Sequence, residues 1–165
     1  MFMICEIAKY IITIFTCSYD KIIFLDFDGV MCPINDDVDA DIDKYGTLFD
    51  TDCANLLNNI IVATNANIVI TSSWRQYLSL WQLRRMWKRR MMKGEIIGIT
   101  PIRSIHRGEE IDAWLSKNNC HKYVILDDMN DMQFNHHHTS SLVVCDGRKG
   151  ISSEDAQRAI DILSR

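Results

Sequence analysis

The chain has 165 residues, 47% of them hydrophobic and 24% charged, with only seven Gly and two Pro. That is one domain with enough apolar residue for a proper core, and it excludes a collagenous, low-complexity or disordered chain. The net charge of −4 hides a split, because seven basic residues and no acid lie between Arg75 and Lys93, leaving 11 basic against 22 acidic residues elsewhere, an asymmetry that points one face at an anionic partner.

Residues 1–20 read as an N-terminal extension, an extra strand or helix packed on a domain spanning 21–165. The apolar run from Tyr10 to Cys17 is too short to span a bilayer. Glu6 interrupts the region that a secretory signal keeps basic, and no small-residue cleavage site follows. The six cysteines include no C-x-x-C pair and sit mostly in apolar runs. Buried reduced thiols in a cytoplasmic protein are therefore expected, rather than a zinc knuckle or a disulfide framework.

From Lys21 to Asp26 the chain runs KIIFLD, a solid apolar run ending in acid, as a strand buried on both faces reads. Residues 31–50 are polar and acidic and predict a loop or flap. Asp50 or Thr51 caps a helix to about Thr64, with Leu56, Leu57, Ile60 and Ile61 at helical spacing. Asn67 to Thr71 (NIVIT) is a second buried strand. The basic stretch follows, with a partly helical stripe at Leu78, Trp81, Leu83 and Trp87. Trp81 and Trp87 are six apart and lie roughly on opposite helix faces, so both cannot be core.

Glu95 to Ile99 is a short apolar run closed by Pro101, and Gly108 to Ser116 reads as a helix with Ile111, Trp114 and Leu115 inward. Lys122 to Asp127 (KYVILD) is a third buried strand ending in acid, and Leu142 to Cys145 a fourth. His136, His137 and His138 read as part of a polar loop. Ser152 or Ser153 caps a last helix through Leu163. Solid apolar strands alternating with helices predict an α/β three-layer Rossmann-like sandwich with a mainly parallel sheet. Right-handed crossovers then place the strand C-termini on one edge, where ligands bind.

That edge collects unusual chemistry. The first strand ends Asp26-Phe27-Asp28-Gly29, the second Thr71-Ser72-Ser73-Trp74-Arg75, and the third Asp127-Asp128 with Asp131 behind. Crowded carboxylates are costly unless a hard cation neutralises them, and an all-oxygen set suits Mg²⁺. Gly29 lets the chain turn sharply and leaves backbone N–H groups for an anion. Thr71 or Ser72 offers a hydroxyl to a phosphate oxygen. Arg107 or Arg103 supplies a fixed positive charge, and Arg75 is within reach of the second strand's end. Two carboxylates, a metal, a hydroxyl and a cation make a kit for phosphoryl transfer.

On these residues the chain resembles the haloacid dehalogenase-like (HAD) phosphohydrolase superfamily over roughly residues 21–165. LDFDGV at 25–30, IVITSS at 68–73, Arg107 and ILDDMND at 125–131 look like its four motifs in order. More narrowly, SSWR at 72–75, RGEEIDAWL at 107–115 and ILDD at 125–128 are similar to the HAD-like domains of bacterial RNA-repair proteins. The resemblance implies that Asp26 is the nucleophile and that Asp28 is the proton donor, its backbone carbonyl on Mg²⁺. It also implies that Thr71 and Arg107 bind the transferring phosphoryl group, and that Asp128, supported by Asp127, completes the metal site with Asp26. Two departures stand out: an Arg where Lys is commoner, and an Asp131 close behind Asp128. No large cap domain is present, which in this superfamily goes with large substrates or a partner acting as lid.

The expectation is therefore a Mg²⁺-dependent phosphatase working through an aspartyl-phosphate on a nucleotide or nucleic-acid end. Gly29, Ser72, Arg75 and Arg103 are the expected substrate contacts. A small-metabolite phosphatase acting on a nucleoside monophosphate or sugar phosphate is the first rival. A non-catalytic phospho-receiver or binding relative is the second, and motif order speaks against it.

Overall fold

In a computed structural model of the chain, residues 18–34 and 41–165 are described. Residues 1–17, on which the reading of the extension mainly falls, lie outside them. Five strands form one parallel sheet: β1 Ser18–Leu25, β4 Asn67–Ile70, β5 Ile96–Ile99, β6 Asn119–Asp127 and β7 Leu142–Val144, in the order β5-β4-β1-β6-β7. The acidic 31–50 segment is more than a loop, for β2 Ile42–Asp43 and β3 Gly46–Thr47 pair in it as a short antiparallel hairpin. Among the described residues four helices cover the sheet: α1 Thr51–Thr64, α2 Leu80–Arg89, α3 Arg107–Leu115 and α4 Ser153–Ser164.

The caps are resolved by hydrogen bonding. Asp50 Oδ1 accepts from the Asp52 and Cys53 amides, so Asp50 and not Thr51 caps α1. Ser152 caps α4 in a reciprocal box with Asp155.

The strands are apolar throughout because both faces are covered. Along β1, Ile23 and Leu25 join the core built with α1, α2 and α4, whereas Ile22 and Phe24 join the opposite core with Ile111, Trp114 and Phe134. Period-two alternation thus divides one strand between two cores, each residue buried at 0% exposure. The Phe24 and Trp114 rings meet edge-on at 5.5 Å and fix α3 against its face of the sheet.

Helix α3 also points at the site. Its buried stripe is Arg107, Glu110, Ile111 and Trp114, the spacing of one helical face. The apolar half packs on the sheet, and the charged half sits at the helix start, beside the strand ends. Among the described residues no helix is long and apolar enough to cross a membrane.

The basic stretch is less free than its charge suggests. Arg84 Nε donates to the Ile96 carbonyl at 2.7 Å and so anchors α2 to β5. Arg90 pairs with Asp43 at 3.0 Å and lies over the Phe49 ring. Trp87 is buried and donates from Nε1 to the Lys93 carbonyl, while Trp81 is 65% exposed beneath Arg85. The two tryptophans therefore do face opposite ways. Arg85, Lys88, Arg89 and Lys93 remain exposed on and after α2.

Candidate active site

The register pairs Leu25 with Ile70 on one side and with Leu126 on the other. The next residues, Asp26, Thr71 and Asp127, therefore emerge abreast at the carboxyl edge of the sheet. Asp26 is 4% exposed, and Thr71 and Asp127 are fully buried. Arg107 reaches into this row from the start of α3. Its Nη2 donates to Asp26 Oδ2 at 3.1 Å, and its Nη1 donates to the Thr71 carbonyl at 2.5 Å and stands 3.6 Å from Asp127 Oδ2. Arg103 is exposed, and only its backbone amide is engaged, with Glu110. Of the two arginines, Arg107 is the one whose guanidinium reaches the row of carboxylates. An arginine at a helix start opposes the helix dipole, and its two carboxylate partners compensate.

One oxygen each from Asp26, Asp127 and Asp128 lie within 4.8 Å of one another. Asp128 is seated by missing atoms. A Cβ on Gly29, at φ +73°, falls far inside contact distance of the Asp128 carboxylate, and one on Gly147 falls 2.7 Å from Asp128 Oδ2. Gly29 therefore has a different role from the one expected. Its amide donates to the Cys32 carbonyl at 2.8 Å and is not open to an anion. Its lack of a side chain makes room for Asp128. Gly29→Ala is expected to lower the melting temperature, since strain at positive φ alone costs about 1–2 kcal/mol and the added methyl meets the Asp128 carboxylate as well. Thermal melts of the variant beside the wild type check this.

The crowding is visible in the proton affinities. Burial, then the Asp26 charge, pushes the Asp127 carboxyl up to about 7, with Arg107 opposing. Asp128 is raised by burial and then by Asp26. Asp127 Oδ2 and Thr71 Oγ1 are buried without a hydrogen-bond partner. An unpaired buried oxygen and an unpaired hydroxyl are costly, and both lie in the row that Arg107 enters. Three converging carboxylates with one lone pair set unused fit a small hard cation such as Mg²⁺. The side chain of Asp131 lies outside the described residues.

Asp28 lies beyond the end of β1, in the turn that follows Leu25. Both its oxygens accept from Trp74 Nε1, at 3.1 and 3.0 Å. Burial raises its proton affinity, partly offset by the Trp74 bond and reinforced by Asp26. Trp74 is held in turn by an edge contact with Phe27 and by Gly46 of the hairpin, where a Cβ falls 3.0 Å from its ring. No motif in the sequence marks Trp74 as a partner of Asp28, because the bond links residues 46 positions apart.

Two expected substrate contacts have other work. Ser72 caps the short 3-10 helix Ser73–Gln76, accepting from the Trp74 amide at 3.4 Å, whereas the Thr71 hydroxyl has no hydrogen-bond partner. Arg75 is 8% exposed and turned inward. Its guanidinium pairs with buried Glu110 and donates to the carbonyls of Thr71, Ser72 and Thr100. With its donors directed at protein acceptors it braces the second strand's end and is not a free phosphate contact. Glu110 carried no sequence signal beyond its place three residues after Arg107.

The three histidines are not simply a polar loop. They open a 3-10 helix, His136–Ser141, in which His138 is fully buried between Tyr123 and α3. His137 and His138 both meet Asp112 Oδ1, at 2.8 and 3.1 Å, and clamp this segment to α3. The described cysteines, Cys32, Cys53, Cys120 and Cys145, are free, and burial pushes the Cys32 thiol up to about 12. They are inert at neutral pH.

A family model described as the HAD domain in Swiss Army Knife RNA repair proteins matches residues 22–156. That span is most of the chain and takes in every residue of the site. No curated protein matches it.

Proposed function

The chain belongs to the HAD domains of Swiss Army Knife RNA repair proteins, and from that premise we propose that it is a Mg²⁺-dependent phosphatase acting on a phosphate monoester at a nucleotide or nucleic-acid end. The observation that carries the reading is the Arg107 guanidinium held between Asp26 and Asp127 at the strand edge, next to the unpartnered Thr71 hydroxyl. A fixed cation, a free hydroxyl and a buried carboxylate within one row suit a phosphoryl group in transfer.

Asp26, Asp127 and Asp128 would hold the cation, with Asp28 contributing its backbone carbonyl as the resemblance implies. When bound, Mg²⁺ supplies positive charge to the carboxylates and to the phosphoryl oxygens. Asp26 is the nucleophile. Its carboxylate oxygen forms the new O–P bond as the ester O–P bond breaks, and the electron pair of that bond leaves with the ester oxygen. Asp28 gives that oxygen a proton. Arg107 and Thr71 hold the phosphoryl oxygens. Asp28 then takes a proton from water, which attacks the aspartyl-phosphate, frees inorganic phosphate and restores Asp26. The raised proton affinity of Asp28 suits both roles.

The nucleic-acid preference rests on the family and on the exposed bases of α2. Turnover of a phosphorylated oligonucleotide is expected to fall steeply with salt as counterion release weakens. A sugar phosphate is expected to show little of this. A screen of nucleotides, sugar phosphates and 3′- or 5′-phosphorylated oligonucleotides with Mg²⁺ tests the reading. No hydrolysis of any of them contradicts it.

The raised Asp127 carboxyl makes a further prediction. Its pKa is higher folded than the ordinary 3.8, so the proton favours the folded state. The stability it contributes is full below about pH 4 and lost as pH rises through about 7. Without a divalent cation, melting temperature is therefore expected to fall across this window. Mg²⁺ competes with that proton, so its stabilising shift is expected to be larger at about pH 8 than at about pH 5. Melts with Mg²⁺ and with chelator at both pH values check this.

A further inference from the structure

Two concavities flank the site and meet at Ser73. One, of about 210 Å³, is lined by Arg107, Arg75 and Met129 among others. The other, of about 370 Å³, is lined by Asp28, Tyr45, Ser73, Trp74, Tyr77 and Leu78. Only the second contains the proton donor. A leaving oxygen must lie within hydrogen-bond reach of the acid that protonates it, so the body of the leaving group extends into the cavity that holds Asp28.

The walls of that cavity are three aromatic rings. Trp74 is a fixed wall, held by Phe27, Gly46 and its bond to Asp28. Tyr45 stands at the tip of the β2–β3 hairpin, its amide bonded to Asp43 at 2.7 Å, with Lys44 over its ring. Arg90 holds the hairpin from the other side through Asp43 and the Gly46 carbonyl. Tyr77 is 81% exposed, a large ring left in water beside the proposed reaction centre. A flat heterocycle stacks on such faces and takes them out of water. The volume falls within the usual range for a small-molecule site.

We propose that the Tyr45–Trp74–Tyr77 cavity is the leaving-group subsite and that it takes the base of the terminal nucleoside of a phosphorylated nucleic-acid strand. This rests on the phosphatase reading above. Tyr45 and Tyr77 are then specificity-determining residues that nothing in the motifs marks, and the hairpin takes the place of the missing cap as one wall of the site. The exposed bases Arg85, Lys88, Arg89 and Lys93 are available to the strand beyond its terminal nucleoside.

The test is a ratio. For wild type, Tyr77→Ala and Tyr77→Phe, kcat/KM is measured with Mg²⁺ on a phosphorylated dinucleotide, a mononucleotide and glycerol phosphate. Wild type is expected to prefer both nucleotides to glycerol phosphate, and the dinucleotide to the mononucleotide. Tyr77→Ala is expected to lower the preference of both nucleotides over glycerol phosphate by about tenfold or more, from the loss of one base–ring stack. Tyr77→Phe is expected to retain it. Preference unchanged in Tyr77→Ala overturns the subsite while leaving a phosphatase in place. A mononucleotide turned over better than the dinucleotide overturns the strand as occupant. Absence of hydrolysis with all three contradicts the phosphatase reading itself. The subsite is then judged by polarisation binding of the labelled dinucleotide, where equal affinity of wild type and Tyr77→Ala overturns it.

Discussion

Asp26→Asn is expected to abolish phosphate monoester hydrolysis, by about 10³-fold or more, without unfolding the protein. Loss of a nucleophile is among the largest effects a single side chain produces. The substitution is nearly isosteric, and an amide oxygen can still accept from the Phe27 amide, as Asp26 Oδ1 does at 2.8 Å. It also removes one negative charge from a row in which Asp26 raises the proton affinity of Asp28, Asp127 and Asp128. The variant's melting temperature in chelator is therefore expected to equal or exceed that of the wild type, and its gain from Mg²⁺ to shrink. Steady-state assays with melts in parallel read both. A variant that retains full turnover contradicts Asp26 as nucleophile.

Glu110→Ala is expected to be the most destabilising single change near the site, costing about 3–5 kcal/mol, as loss of one partner from a buried pair does. Arg75 and Glu110 side chains are each only 4% exposed, and Glu110 also accepts from the Arg103 amide at 3.0 Å. Removing it leaves a buried guanidinium without its charge partner. Activity is expected to fall as well, because Arg75 and Arg107 donate to the same Thr71 carbonyl and slack in the one loosens the other. Replacing both partners, as in Arg75→Met with Glu110→Leu, is expected to recover much of the stability, since the desolvation cost goes with the charges. Urea unfolding of the two single variants and the double variant measures the difference. Equal stability of Glu110→Ala and wild type contradicts the brace.

Much of the site was legible because its residues sit at the ends of strands too apolar to be anything else. KIIFLD and KYVILD announce their own burial, and parallel pairing then brings Asp26 and Asp127 abreast without further information. The Arg107–Arg103 ambiguity needed the helix start. Arg107 is the first residue of α3 and shares a face with Ile111 and Trp114, whereas Arg103 lies before it and is exposed. What was not legible depends on pairings across loops. Arg75 reads as a free base beside a strand end because its acid partner is 35 residues away. The bond of Trp74 to Asp28 is hidden in the sequence because it depends on how two loops meet. The basic stretch looks like one continuous anion surface, yet Arg75, Arg84 and Arg90 spend their charge holding loops and strands. Gly29 reads as a turn, but its room for Asp128 depends on the end of β6 lying beside it.

The most direct measurement of the account is the fate of the phosphoryl group on Asp26. Wild-type protein is mixed with Mg²⁺ and a phosphorylated substrate, quenched in acid within the first turnover, digested and examined by mass spectrometry. One added phosphoryl mass is expected on the peptide that contains Asp26, absent from Asp26→Asn and absent when chelator replaces Mg²⁺. Rapid hydrolysis with no labelled peptide, or a label on another residue, contradicts it.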